Sequence, residues 1–142
     1  MLNLAFIGLA SPAPAKSATE QLTINTRSGA HQVQVEVAES EAQKAMGLMF
    51  RTEVPRGTGM LFPHRGDERE LTMWMRNTFV SLDMIFIRAD GTVHRIAANT
   101  EPMSEEIIAS EGKVSAVLEL GAGEAKRLGI QPGDKVEHRS FR

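Results

Sequence analysis

The chain has 142 residues, 42% of them hydrophobic, and a formal net charge of −2. This is the length of one domain with enough apolar material for a core, which excludes a disordered chain. The near-even charge offers no basic footprint for nucleic acid and little attraction to anionic membranes. The absence of cysteine excludes disulfides, thiolate catalysis and Cys-ligated zinc.

The first residues, MLNLAFIGLASPAPAKSA, hold a short apolar run from Leu2 to Ala10. Ser11, Pro12 and Pro14 break it, and Ala13 to Ala15 has the small-x-small form of a signal cleavage site. The run is far shorter than a membrane span, and no Lys or Arg precedes it. Residues 1–18 are expected to be a signal peptide or a disordered N-terminal segment. Export to the periplasm or exterior is the favoured location. Residues 19–142 are expected to form a single domain that does not insert into a membrane.

EQLTINTR alternates apolar and polar residues, RSGA supplies a turn, and HQVQVEVA places Val33, Val35 and Val37 on one face. Period two on both sides of a turn predicts a β-hairpin with one wet face. The period then breaks. Ser40 and Gln43 fit a capping box, and a short helix is expected over about 40–47, stopped by Gly47. Residues 51–59 read as a Pro- and Gly-containing loop, MLFP as a short strand, and 64–70 as a charged loop.

Strands are expected over 71–75 and 82–88, with Asp90–Gly91 as a hairpin turn before TVHRIAA. Residues 99–112 read as a long polar connection. KVSAVLEL reads as one strand, GAGEAKRLG as a short helix closed by Gly129, and QPGDKVE as a turn and a last strand. About seven short strands with two short helices predict one β-rich α+β domain, closed or partly closed as a barrel so that its edges are paired.

Within 71–75, Leu71, Met73 and Met75 share one face, and Trp74 takes the other. Trp74 is either a partly buried lid beside the core or a half-exposed platform for a flat ligand. Asn77 and Thr78 have the chemistry of turn formers. Asp83 and Glu119 are carboxylates inside otherwise apolar strands. Burying either one requires a partner, and Arg51 or Arg76 is the natural choice. The alternatives are a hydrolytic acid–base pair or two acids pointing into water.

Met46, Met49, Met60, Met73, Met75 and Met84 fall close together, which raises Cu(I) binding as an alternative to simple core filling. The four histidines lack a zinc spacing, and no phosphate-binding loop, dinucleotide fingerprint or nucleophile elbow is present. No cofactor, metal or catalytic set is therefore assigned, and the reading leans away from an enzyme.

GLMFR at 47–51, GMLF at 59–62, WMRNTFVSLDMIFI at 74–87 and VLELGAGEAKRLGIQPGD at 117–134 resemble the signature of the domain of unknown function 192 family. The resemblance spans about residues 20–138. It implies a compact β-rich barrel with one or two helices, often exported, and no particular activity, substrate or cofactor. The family's recurring polar positions fall here on Arg51, Asn77, Thr78, Asp83, Glu119 and Asp134, beside Trp74. Arg76 and Phe79–Val80 stand where members often carry Lys and aliphatic–Pro.

The expected function is a ligand-binding or accessory module of the cell envelope. Its ligand would be a carbohydrate, peptide or small anion, bound by Arg51, Trp74, Asn77, Thr78, Asp83 and Glu119. A hydrolase using Asp83 and Glu119, a Cu(I) binder using Met60, Met73, Met75 or Met84, and a purely structural or interaction protein are the alternatives. The expected partner is a small molecule or envelope component, and the expected state is a monomer or weak dimer.

Overall fold

A computed structural model describes residues 18–142 and Gly8. The N-terminal apolar run and the cleavage motif lie outside these residues, Gly8 excepted. The predicted hairpin forms β1 (Thr19–Thr26) and β2 (Gly29–Val37), with Leu22 opposite Val33. Helix α1 (Glu41–Met46) starts on the predicted capping box: Ser40 accepts from the Gln43 amide, and the Gln43 side chain accepts from the Ser40 amide. There follow β3 (Thr58–Pro63), β4 (Arg69–Met73), β5 (Leu82–Ile87) and β6 (Val93–Ala97). The chain continues through β7 (Ile108–Val114), β8 (Ala116–Gly121), helix α2 (Glu124–Leu128) and β9 (Lys135–Glu137).

Seven strands form one sheet in the order β6-β5-β8-β3-β2-β1-β9, and β4 pairs with β7. The ends of the large sheet nearly meet. Val93 donates to the Asp134 carbonyl, Gly133 to Val93 and Val136 to Gly91, each at 2.8 Å. This link between β9 and the start of β6 turns the sheet into a nearly closed barrel and leaves few free edges.

Two cores follow from strand alternation. Leu22, Ile24, Val33, Val35, Leu61, Ile85, Leu118 and Leu120 fill the barrel, and Ala125, Leu128 and Ile130 of the α2 region plug one end. Met60, Phe62, Met84, Phe86 and Val117 point the other way. Leu48, Leu71, Met75 and Val114 cover them. Both β5 and β8 are thus buried on two faces. That explains why LDMIFI is apolar throughout instead of alternating.

Two expectations need correction. Residues 99–112 are not all connection, because β7 begins at Ile108. The expected single strand KVSAVLEL is divided: Val114 ends β7 and Ala116 starts β8, with Ser115 at the corner. The strand signal in β7 is broken by Glu111 at φ 54° and Gly112 at φ 151°. The register also shifts where β4 meets it.

Candidate functional site

Asp83 and Glu119 were candidates for a carboxylate pair, and the register separates them. Asp83 lies opposite Leu120, while Glu119 lies between Met60 and Met84. Cross-strand neighbours share a face. Asp83 therefore belongs to the barrel-interior side and Glu119 to the outer side, so a shared acid–base cleft is excluded. Both acids are buried, at 1% and 4% exposure, which also corrects the reading that they point into water.

Asp83 is a structural acceptor. Its Oδ2 accepts from the amides of Gly123 at 3.0 Å and Ala125 at 2.9 Å, capping α2, and its Oδ1 accepts from Asn99 at 2.9 Å. Gly123, the residue before α2, brings no side-chain cap of its own. A carboxylate on a distant strand supplies what a local Ser or Asp usually does. Asp134 plays a local version of this role, accepting from the Gln131 amide at 2.7 Å.

Glu119 has no hydrogen-bond or ion-pair partner among the described residues. Burial alone pushes its carboxyl up to about 8, so it is held as the neutral acid at pH 7. The expected arginine partners are engaged elsewhere. Arg51 forms a bidentate pair with Glu36, one arm at 3.0 Å. Arg76 lies 3.7 Å from Glu105 and stacks 5.3 Å above the Trp74 ring.

Three of the four methionines considered for Cu(I) are core. Met60, Met75 and Met84 are buried, and the Met75 thioether accepts from the Thr100 hydroxyl at 3.2 Å. Thioethers packed among Leu and Phe side chains do not present a soft-metal site to solvent, which removes the support for Cu(I) binding.

Trp74 remains as the surface feature. It is 41% exposed, one of several large apolar side chains left in water. The others include Phe50, Phe79 and Met103 on neighbouring loops. Main-chain bonds join these loops: Phe50 donates to the Asn77 carbonyl at 2.9 Å, Met103 to Thr78 at 3.0 Å, and Met75 to Ser104 at 2.9 Å. The Phe50 and Phe79 rings meet edge-on, with centroids 6.0 Å apart.

Asn77 and Thr78 build the turn, as their chemistry suggested. Asn77 takes φ 53°, and the Thr78 hydroxyl donates to the Arg76 carbonyl at 3.0 Å. Phe50 and Met103 also adopt left-handed backbone, each at φ 66°. A bulky side chain there costs about 1–2 kcal/mol, and in both residues the side chain is delivered to solvent rather than to the core. Sequence reasoning missed Phe50, Phe79 and Met103. The available signal was apolar residues inside segments with loop chemistry. Phe79 also marks a departure from the family pattern.

Arg51, Trp74, Asn77 and Thr78 thus belong to one loop assembly over the outer core. Glu119 lies, almost fully buried, in that core's sheet face, and Asp83 faces the other way. Among the described residues, no cluster of His, Asp or Glu could hold a metal ion, and no helix is long and apolar enough to cross a membrane.

Two solved structures are similar. One is a candidate transcription regulator from Sinorhizobium meliloti 1021, at 42% identity and TM-score 0.85, covering 91% of this chain and 100% of that one. The other is a protein of unknown function from Novosphingobium aromaticivorans DSM 12444. It has 43% identity and TM-score 0.83, covering 92% of this chain and 94% of that one. No curated protein matches significantly. The DUF192 family model, described as an uncharacterized ACR, matches residues 23–138 and thus nearly the whole barrel; the chain belongs to that family.

Proposed function

We propose that the chain is a non-catalytic binding or accessory module of the cell envelope, and that its three joined loops take a peptide or protein segment. The observation that carries this is the exposed set Phe50, Phe79, Trp74 and Met103, two of them held outward by unfavourable backbone. Exposed apolar side chains grouped on loops joined by main-chain hydrogen bonds are a mark of interaction surfaces, and strained backbone concentrates at functional positions. Of a carbohydrate, a peptide and a small anion, the peptide suits this surface best. The surface offers flat and flexible apolar anchors, while Arg76 already covers one face of the indole.

A nucleic-acid role, suggested by the description of the S. meliloti relative, is disfavoured for this chain. Its net charge is −2. Its helices of six and five residues are short for reading a major groove. Export after processing near Ala15 belongs to the same proposal. Mass spectrometry of the protein recovered from a periplasmic fraction checks it, and an intact Met1 in that fraction counts against it.

Phage-displayed random peptides selected on the immobilised protein test the binding site. Enriched peptides should bind the wild type and lose binding to a Phe50→Ser/Phe79→Ser variant. Equal binding to both proteins, or no enrichment, overturns the assignment.

A further inference from the structure

The barrel end opposite α2 carries a cleft of about 470 Å³. Glu39, Arg65, Ala89, Ser115, Arg139 and Arg142 reach it from five separate stretches of chain. A smaller adjoining cleft shares Glu39 and Arg65 and adds Glu41, Lys44 and Arg69. On a chain of net charge −2, these walls gather five Lys or Arg side chains against three carboxylates: Glu39, Glu41, which lies 3.8 Å from Lys44, and Glu20, which is bonded to Arg139.

The cations are not all neutralised. Arg139 is held by Glu20 and Glu39, with bonds of 2.7–2.9 Å. Arg65 lies only at 3.8 Å from Glu39, and the Arg142 side chain has no carboxylate partner among the described residues. Arg69 leans on His64 Nδ1 at 3.3 Å. Burial and the charges of Lys44 and Arg69 hold the His64 imidazole below its ordinary value.

The floor supplies a second, independent observation. Ser115 is 9% exposed and lines the cleft, and its hydroxyl, which has no hydrogen-bond partner among the described residues, is reachable from solvent. A hydroxyl that lines a cationic cleft without a protein partner is free to donate to a bound acceptor.

We propose that this cleft binds a small phosphate ester, with Arg65 and Arg142 on the phosphate, Ser115 Oγ donating from the floor, and Pro63 and Ala89 against the organic part. Guanidinium forks match phosphate oxygens. The excess of cations suits a dianion, and the cleft exceeds what a phosphate alone would fill. The site lies away from the three-loop patch, so either assignment can fail without the other.

The test is a ¹⁵N–¹H NMR titration of the full chain with glucose 6-phosphate, inorganic phosphate, glucose and succinate. Glucose 6-phosphate should move the Gly66, Ala89 and Ser115 amides saturably, leave the Trp74 indole unmoved, and bind at least about three-fold tighter than phosphate. It should raise the His64 imidazole pKa, which Lys44, Arg69 and Glu41 also influence; Arg65 and Glu39 line the same clefts. An Arg65→Ala/Arg142→Ala variant, folded by circular dichroism, should bind at least about ten-fold more weakly. Ser115→Ala should lose about three- to ten-fold. Shifts that never saturate, equal responses to succinate or glucose, or unchanged binding by the double variant overturn the proposal.

Discussion

Replacing Glu119 with Gln should stabilise the protein increasingly as pH rises. Burial pushes this carboxyl from the ordinary 4.5 to about 8, and no partner among the described residues offsets the cost of charging it. Below pH 4.5 the acid is neutral in both the folded and the unfolded chain, and it imposes no ionisation penalty. Between 4.5 and 8 only the unfolded chain loses the proton, so the wild type is penalised by about 1.4 kcal/mol for each pH unit. Above 8 both states are ionised and the penalty stays constant.

The glutamine keeps the shape between Met60 and Met84 and cannot ionise. Its buried amide carries its own desolvation cost, which does not vary with pH. The informative quantity is therefore the change in the stability difference. From pH 5 to pH 7 the variant should gain roughly 2–3 kcal/mol on the wild type. Urea unfolding at pH 5, 6, 7 and 8, followed by Trp74 fluorescence and circular dichroism, reads it out. The lowered carboxyl pKa values of Glu20 and Glu124 tilt both curves equally and cancel in the difference. Parallel curves for the two proteins would refute the reasoning, because Glu119 would then be ionised in the fold at neutral pH.

Asp83→Ala removes the acceptor of three backbone amides and should cost about 2–4 kcal/mol, seen as a fall in Tm, with α2 losing hydrogen-exchange protection first. Ser40→Ala should cost about 1 kcal/mol, because α1 buries no residue and depends on its cap; urea titration measures it. Met103→Gly removes a left-handed Met and should raise stability by about 1 kcal/mol, or a Tm gain of about 3 °C, while weakening any selected peptide. A Met103→Gly protein that binds peptide as well as wild type would detach that residue from the site.

The hairpin of β1 and β2, the capping box of α1 and the apolar run of β5 were all legible, because each is written in neighbouring residues. Strand β7 was not. It lies in the outer layer, partly exposed, with Glu111 and Gly112 breaking the period that would have announced it. The carboxylates misled for a different reason. Their burial was readable from the flanking Leu and Met residues, but their partners depended on register. A shift of one residue along β8 would have put Glu119 on Asp83's face. Asp83 finds its partners 40 and 42 residues away at the start of α2, a relation that no local spacing encodes.

The contrast between these two acids bears on how family positions should be read. Asp83 recurs in the family pattern and has a complete structural account: three amides, no free valence facing solvent. A recurring acid with such an account needs no catalytic role. Glu119 lacks one. Nothing in its surroundings offsets an unpaired buried carboxyl, and a Leu or Met would pack there at lower cost. Its presence here is therefore the more demanding fact. It sits in the sheet face over which the loops of Arg51 and Asn77 close, in the same layer as Leu48 and Met75. If those loops shift when a peptide binds and open Glu119 to water, its pKa should fall towards 4.5. Proton uptake or release on peptide binding, measured calorimetrically in buffers of different ionisation enthalpy at pH 7, decides this. Release of a proton that disappears in Glu119→Gln ties the carboxyl to the loops, and identical heats in all buffers leave it a purely buried acid.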